Sequence, residues 1–126
     1  MDIDLSAIAD MEGVLAILLF GSTARDQPLA RDIDICIVAP RIGDKASLLL
    51  KALSKVRRPG YDIWLFEELP LYMKVEVIRN HRVLHCRRLE ELYDYFANIM
   101  ALWRDQEMRI RRYSRLLSRE ETSLFI

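Results

Sequence analysis

Residues 14–39 read Val14-Leu15-Ala16-Ile17-Leu18-Leu19-Phe20-Gly21-Ser22-Thr23-Ala24-Arg25-Asp26-Gln27-Pro28-Leu29-Ala30-Arg31-Asp32-Ile33-Asp34-Ile35-Cys36-Ile37-Val38-Ala39, two apolar runs joined by a polar segment. The first run, Val14 to Phe20, is bounded by Gly13 and Gly21. It is too short for a good helix and has the character of a strand buried on both faces. Pro28 ends any helix begun at Ser22, so the joining segment is predicted to be a turn and loop. The second run alternates carboxylate with isoleucine from Asp32 to Ile35 and is then wholly apolar to Ala39. That pattern predicts a strand whose first turn is half exposed. Side chains alternate faces along a strand, so Asp32 and Asp34 project from one face, ~6 to 7 Å apart. Two carboxylates that close repel each other unless something positive sits between them.

Outward from this pair, residues 2–12 carry Ile3, Leu5, Ile8 and Met11 at spacings that suit a short helix. On the other side, Asp44 is placed to cap a helix running to about Val56, with Leu48, Leu49, Ala52, Leu53 and Val56 on its apolar face. Pro59-Gly60 closes it, Tyr61–Phe66 is predicted to be a third strand, and a helix follows from about Pro70 to Arg79. Val83–Cys86 is predicted to be a short fourth strand. From Arg88 a near-heptad apolar stripe through Leu89, Leu92, Tyr93, Phe96, Ile99, Met100, Trp103, Ile110, Tyr113 and Leu117 predicts one long helix, with a break and fold-back as the alternative. The order gives an α/β domain: a small mixed sheet flanked by helices, with a long C-terminal helix. The expected organisation is one domain over 1–126, with a core at about 13–87 and a helical extension at about 88–118.

Composition narrows the function classes. The chain has 126 residues, 52% hydrophobic and 30% charged with four glycines and four prolines, which excludes a disordered or low-complexity protein. That length leaves no room for a second substrate-binding domain. Nineteen basic and nineteen acidic residues cancel, so generic DNA coating and attraction to anionic lipid are not expected. The cancellation hides an asymmetry: residues 1–40 carry net −5 and residues 41–126 carry net +5, much of the excess being arginine on the terminal helix. No apolar run approaches the roughly 20 residues a membrane span needs. Cys36 and Cys86 lack metal or redox spacing and are expected to be buried free thiols in a cytoplasmic protein.

The chemistry-bearing constellation is Gly21-Ser22, nine residues, Asp32-x-Asp34, and later Asp62 on a strand. Gly21 permits a tight turn after strand one, leaving backbone N–H groups and the Ser22 hydroxyl to face an anion. Same-face carboxylates suit hard divalent cations such as Mg²⁺, which keeps water and phosphate oxygens in its remaining positions. Asp62 is able to complete a two-metal clamp for phosphoryl transfer. Each residue has a plainer reading: Ser22 as a helix cap, Asp62 as a turn residue, Arg25 as a surface partner of Asp26 or Asp10. His81 and His85 have no metal-ligand spacing and are expected to be surface and packing residues.

Leu19-Phe20-Gly21-Ser22-Thr23-Ala24-Arg25 followed by Asp32-Ile33-Asp34-Ile35 resembles the minimal nucleotidyltransferases (MNT) of the polymerase-beta superfamily. Tyr61-Asp62-Ile63-Trp64-Leu65 with Leu69-Pro70, and Arg82-Val83-Leu84-His85, extend the resemblance over about residues 13–87. It implies the polymerase-beta nucleotidyltransferase fold, with Gly21, Ser22 and Arg25 on the triphosphate of ATP. It also implies that Asp32, Asp34 and Asp62 are catalytic and hold two Mg²⁺ ions. Relative to the family pattern the spacer is one residue short, Asp26 stands where Gly is common, and Arg31 stands where a small Ser is usual. Those differences bear on substrate geometry and on whether the site turns over.

In proteins of this kind the acceptor arrives on a separate helical HEPN subunit. The resemblance therefore implies an antitoxin that transfers AMP from ATP to a tyrosine of its partner toxin. Two alternatives stay open: a non-catalytic antitoxin that neutralises its partner by occlusion, and the catalytic half of a two-subunit nucleotidyltransferase with another acceptor. Arg79 and His85 match the spacing of the HEPN Arg-x4-6-His motif, but a strand position for His85 makes that coincidence. Ile110, Tyr113 and Leu117 are expected to pack in a homodimer or on a partner subunit.

Overall fold

The computed structural model describes residues 4–21, 33–56 and 60–124. Four strands form one mixed sheet: β1 (Ala16–Phe20), β2 (Ile33–Val38), β3 (Tyr61–Leu65) and β4 (His81–Cys86), in the spatial order β3-β2-β1-β4. β1 runs antiparallel to both β2 and β4, while β2 and β3 are parallel. The parallel pair needs a crossover, and α2 (Lys45–Leu53) supplies it. The remaining helices are α1 (Leu5–Ala9), α3 (Leu71–Arg79) and α4 (Leu89–Leu124), with one 3-10 turn at Phe66–Glu68. This is the expected α/β architecture.

Alternation along the strands sorts the core into two layers. Ile17, Leu19, Ile35 and Ile37 face α1 and α2, where Ile8, Ala9, Leu48 and Ala52 are buried. Leu18, Phe20, Cys36 and Val38 face the other way and pack with Phe66, Val77 of α3, and Leu92 and Phe96 of α4. Asp34 lies on this second face, two residues before Cys36.

Several boundaries differ from those expected, each for a local reason. β1 starts at Ala16 because the Val14 N–H bonds back to the Met11 carbonyl in the turn after α1. Leu15 still extends the ladder, donating to Val38 O and accepting from Arg87 N. α1 is confined to five residues, with Asp4 Oδ1 accepting from Ala7 N at 3.0 Å. Asp44 caps α2 as expected, Oδ1 accepting from Ser47 N at 3.0 Å. Leu53 is exposed, and Val56 reaches the core from the turn beyond the helix. The third strand ends at Leu65, where Phe66 enters the 3-10 turn, and Pro70 precedes α3, its carbonyl accepting from Met73 and Lys74.

β4 begins two residues earlier than its apolar character suggests. His81 and Arg82 pair with Phe20 and Leu19, and a bulge between Ile17 and Leu18 breaks the strand's period. Cys36 is buried and free, and Cys86 is half-buried and free rather than fully buried. Burial pushes the Cys36 thiol up, keeping it protonated. α4 is a continuous 36-residue helix with no fold-back, about 54 Å long at 1.5 Å per residue. Among the described residues no helix is long and apolar enough to cross a membrane.

Candidate active site

The register of the sheet lays out a row across its second face. Phe20 of β1 is the partner of His81 on β4 and of Asp34 on β2, and Asp34 is in turn the partner of Asp62 on β3. Cross-strand partners share a face, and neighbouring strands lie about 4.8 Å apart. Two carboxylates therefore stand side by side at one end of the sheet. Asp34 is half-buried and Asp62 exposed. Asp32, Ser22 and Arg25 lie outside the described residues, as do Asp26 and Arg31 of the predicted loop. Among the described residues no group of three or more His, Cys, Asp or Glu is placed to hold a metal.

Gly21 follows β1 with φ of 76°, in the left-handed region that side chains disfavour. A Cβ there would lie 2.5 Å from Asp34 Oδ2. The residue is thus required twice, once by the turn and once by the carboxylate resting against it. The other oxygen, Asp34 Oδ1, accepts from the Trp64 indole N–H at 3.1 Å. Trp64 also meets Phe20 edge to face, with ring centroids 6.4 Å apart. Sequence reasoning did not single out Trp64. Its signal was available in part, since residue 64 shares a face with residue 62, but the bond depends on the β2–β3 register.

His81 acts in packing. Its Nδ1 lies 3.0 Å from Val77 O and 2.9 Å from Ile78 O, and its ring meets Phe96 edge to face, so it ties the end of α3 to the sheet. His85 lies in β4, with Nε2 buried and lacking a hydrogen-bond partner among the described residues. At the opposite end of the sheet a second acid is held away from the carboxylate pair. Glu67 Oε1 accepts from Ala39 N at 2.8 Å and Oε2 accepts from the Tyr95 hydroxyl at 2.9 Å. Burial raises the Glu67 pKa above its ordinary value, outweighing those hydrogen bonds, and burial beside Glu67 raises Tyr95. This pair fastens β2, the 3-10 turn and α4 together.

A glycine turn facing a carboxylate pair at the end of a small mixed sheet is the arrangement that the resemblance to nucleotidyltransferases implies. Residues 5–85 match the nucleotidyltransferase domain family, and the chain belongs to that family. It is 45% identical over 102 residues to a candidate protein adenylyltransferase of Methanocaldococcus jannaschii, covering 80% of this chain and 79% of that one. Its fold is similar to a chain of a toxin-antitoxin crystal structure with AMP-PNP, with a TM-score of 0.60 at 17% identity over 83% of this chain and 88% of that one. It is also similar to a chain of the tri-AMPylated Shewanella oneidensis HEPN toxin in complex with MNT antitoxin. There the TM-score is 0.61 at 15% identity, over 83% of this chain and 85% of that chain. The expected fold and family are those found.

Proposed function

We propose that this nucleotidyltransferase is a cytoplasmic, Mg²⁺-dependent antitoxin that transfers AMP from ATP to a tyrosine of a helical, HEPN-type partner toxin. The observation that carries this reading is the in-register placement of Asp34 and Asp62 beside the Gly21 turn. The relative named for protein adenylyl transfer and the solved complex with an AMPylated toxin support the acceptor class.

The residues suit the metal. Carboxylates on neighbouring strands form an all-oxygen donor set whose mutual repulsion a hard dication relieves. Asp34 and Asp62, joined by Asp32, would hold two Mg²⁺ ions, with Gly21, Ser22 and Arg25 on the triphosphate. Bound there, the ions would neutralise phosphate charge and lower the pKa of the acceptor hydroxyl. The chain's own contribution would be positioning: the turn at Gly21 would present backbone N–H groups to the phosphates, while the sheet holds Asp34 and Asp62 on neighbouring strands. The tyrosine oxygen bonds to the α-phosphorus, the bond to the β-phosphate oxygen breaks, and pyrophosphate leaves. Asp62, the more exposed carboxylate, would take the hydroxyl proton.

The partner's docking surface is assigned to the outer part of α4. Leu92 and Phe96 are buried in the core, but Ile110, Tyr113 and Leu117, further along the same face of the helix, are exposed. The stripe that seats the helix on its own core therefore continues beyond it. A second copy of the chain and a toxin subunit are both outcomes to be measured. Neutralisation by occlusion is the competing reading, favoured by this same surface because it needs no chemistry.

Co-expression with the partner decides between them. The partner's intact mass is expected to rise by whole AMP units with the wild-type chain and to stay unmodified with Asp34→Ala. Full protection of cells by an Asp32→Ala/Asp34→Ala double variant that still binds the partner would establish occlusion instead.

A further inference from the structure

Resting on the nucleotidyltransferase reading of the site, we infer that Trp64 is a positioning residue. Its indole N–H holds the Asp34 carboxylate in one orientation at the candidate metal site.

Trp64 lies two residues beyond Asp62 on β3, so both side chains leave the same face. The parallel register sets Asp34 opposite Asp62 and Cys36 opposite Trp64. The indole thus reaches Asp34 on the diagonal, a span that long aromatic side chains cover. Its N–H donates to Oδ1, and its ring is braced against Phe20, which is itself the β1 partner of Asp34.

Burial alone does not account for a tryptophan here. Trp64 is 37% exposed, whereas Cys36 and Phe66, the next groups along this face, are fully buried. What the indole adds over an aliphatic residue is a donor, and that donor is spent on the candidate ligand. From the other strand, Gly21 brings its backbone so close that a methyl group would meet Oδ2 at 2.5 Å. The two oxygens of Asp34 consequently face different strands, Oδ1 toward β3 and Oδ2 toward the turn after β1. Held from β3 by the indole and against the turn after β1, the carboxylate keeps one orientation on the sheet. Hydrogen bonds to ligating carboxylates are worth about 10–100-fold in metal affinity or activity.

The chain has two tryptophans, so Trp103→Phe leaves Trp64 as the sole indole reporter. Its emission is expected to change when Mg²⁺ and AMP-PNP are added together. In the otherwise intact chain, Trp64→Phe keeps a ring against Phe20 but removes the donor. Calorimetric titration should then show Mg²⁺ binding in the presence of AMP-PNP weakened about tenfold or more, with the thermal midpoint unchanged. Trp64→His, which restores an N–H, should recover part of the loss. Wild-type metal and nucleotide binding by Trp64→Phe overturns the positioning role alone. Failure of the wild-type chain to bind either overturns the parent reading as well.

Discussion

Replacing Gly21 by Ala adds one methyl group where β1 turns, and the structure fixes both consequences. With φ at 76° the backbone sits in the left-handed region, where a side chain costs about 1–2 kcal/mol. The new Cβ would stand 2.5 Å from Asp34 Oδ2, whereas ordinary contact begins at 3.4 Å. The carboxylate must therefore retreat by about 1 Å, and rotation away from Gly21 also loosens the Trp64 bond. A misplacement of about 1 Å at a reacting centre costs on the order of 10²-fold in rate. Stability and activity should thus part company. The midpoint falls by roughly 5 °C, the equivalent of the backbone penalty in a domain of this size, while AMP transfer falls about 100-fold. Scanning calorimetry and transfer of label from ATP at saturating Mg²⁺ read the two quantities. Gly43→Ala is the control, since a Cβ there meets nothing within 4 Å and should leave both unchanged. Transfer by Gly21→Ala within about threefold of wild type would refute the reasoning, because the carboxylate would then tolerate the displacement.

Four further outcomes concern other parts of the molecule. Asp62→Asn removes one of two like charges on neighbouring strands, so in EDTA the melting midpoint should hold or rise slightly, while the stabilisation by Mg²⁺ with nucleotide disappears. Glu67 has a folded pKa raised above 4.5, so the folded state holds its proton more tightly than the unfolded chain does. Its contribution to stability is full below the unfolded value and is lost as pH rises through the folded one, and Glu67→Gln should flatten that loss in urea titrations from pH 4 upward. Leu92→Ala, in the fully buried part of α4, should cost about 2–5 kcal/mol in urea unfolding. Exposed Tyr113→Ala should cost no more than about 0.5 kcal/mol, yet weaken partner capture in a pull-down.

The parts legible in the sequence are those whose cause is local. The apolar run to Phe20, the glycine after it and the alternation at Asp34 specify strand, turn and strand without reference to anything distant. Asp44 announces its own cap three residues ahead of the N–H it accepts. The boundary of β4 was obscured because His81 and Arg82 belong to the strand through pairing with β1 rather than through their own character. Trp64 and Glu67 were missed for a related reason. The Trp64 bond to Asp34 spans 30 residues and exists only in one parallel register. The Glu67 ties to Ala39 and Tyr95 each span 28 residues, and a glutamate in a short turn carries no sign that it will be half-buried. Asp62, by contrast, was placed on a strand in advance, and the register then set it opposite Asp34.

The central claim is that the Asp34–Asp62 pair supports transfer of a nucleotidyl group to the partner. Parallel reactions with ATP labelled at the α-phosphate and at the γ-phosphate test it most directly. The account predicts partner labelling from the α position alone, dependent on Mg²⁺ and abolished by Asp34→Ala. Label arriving from the γ position, or α label that persists in Asp34→Ala, would contradict it.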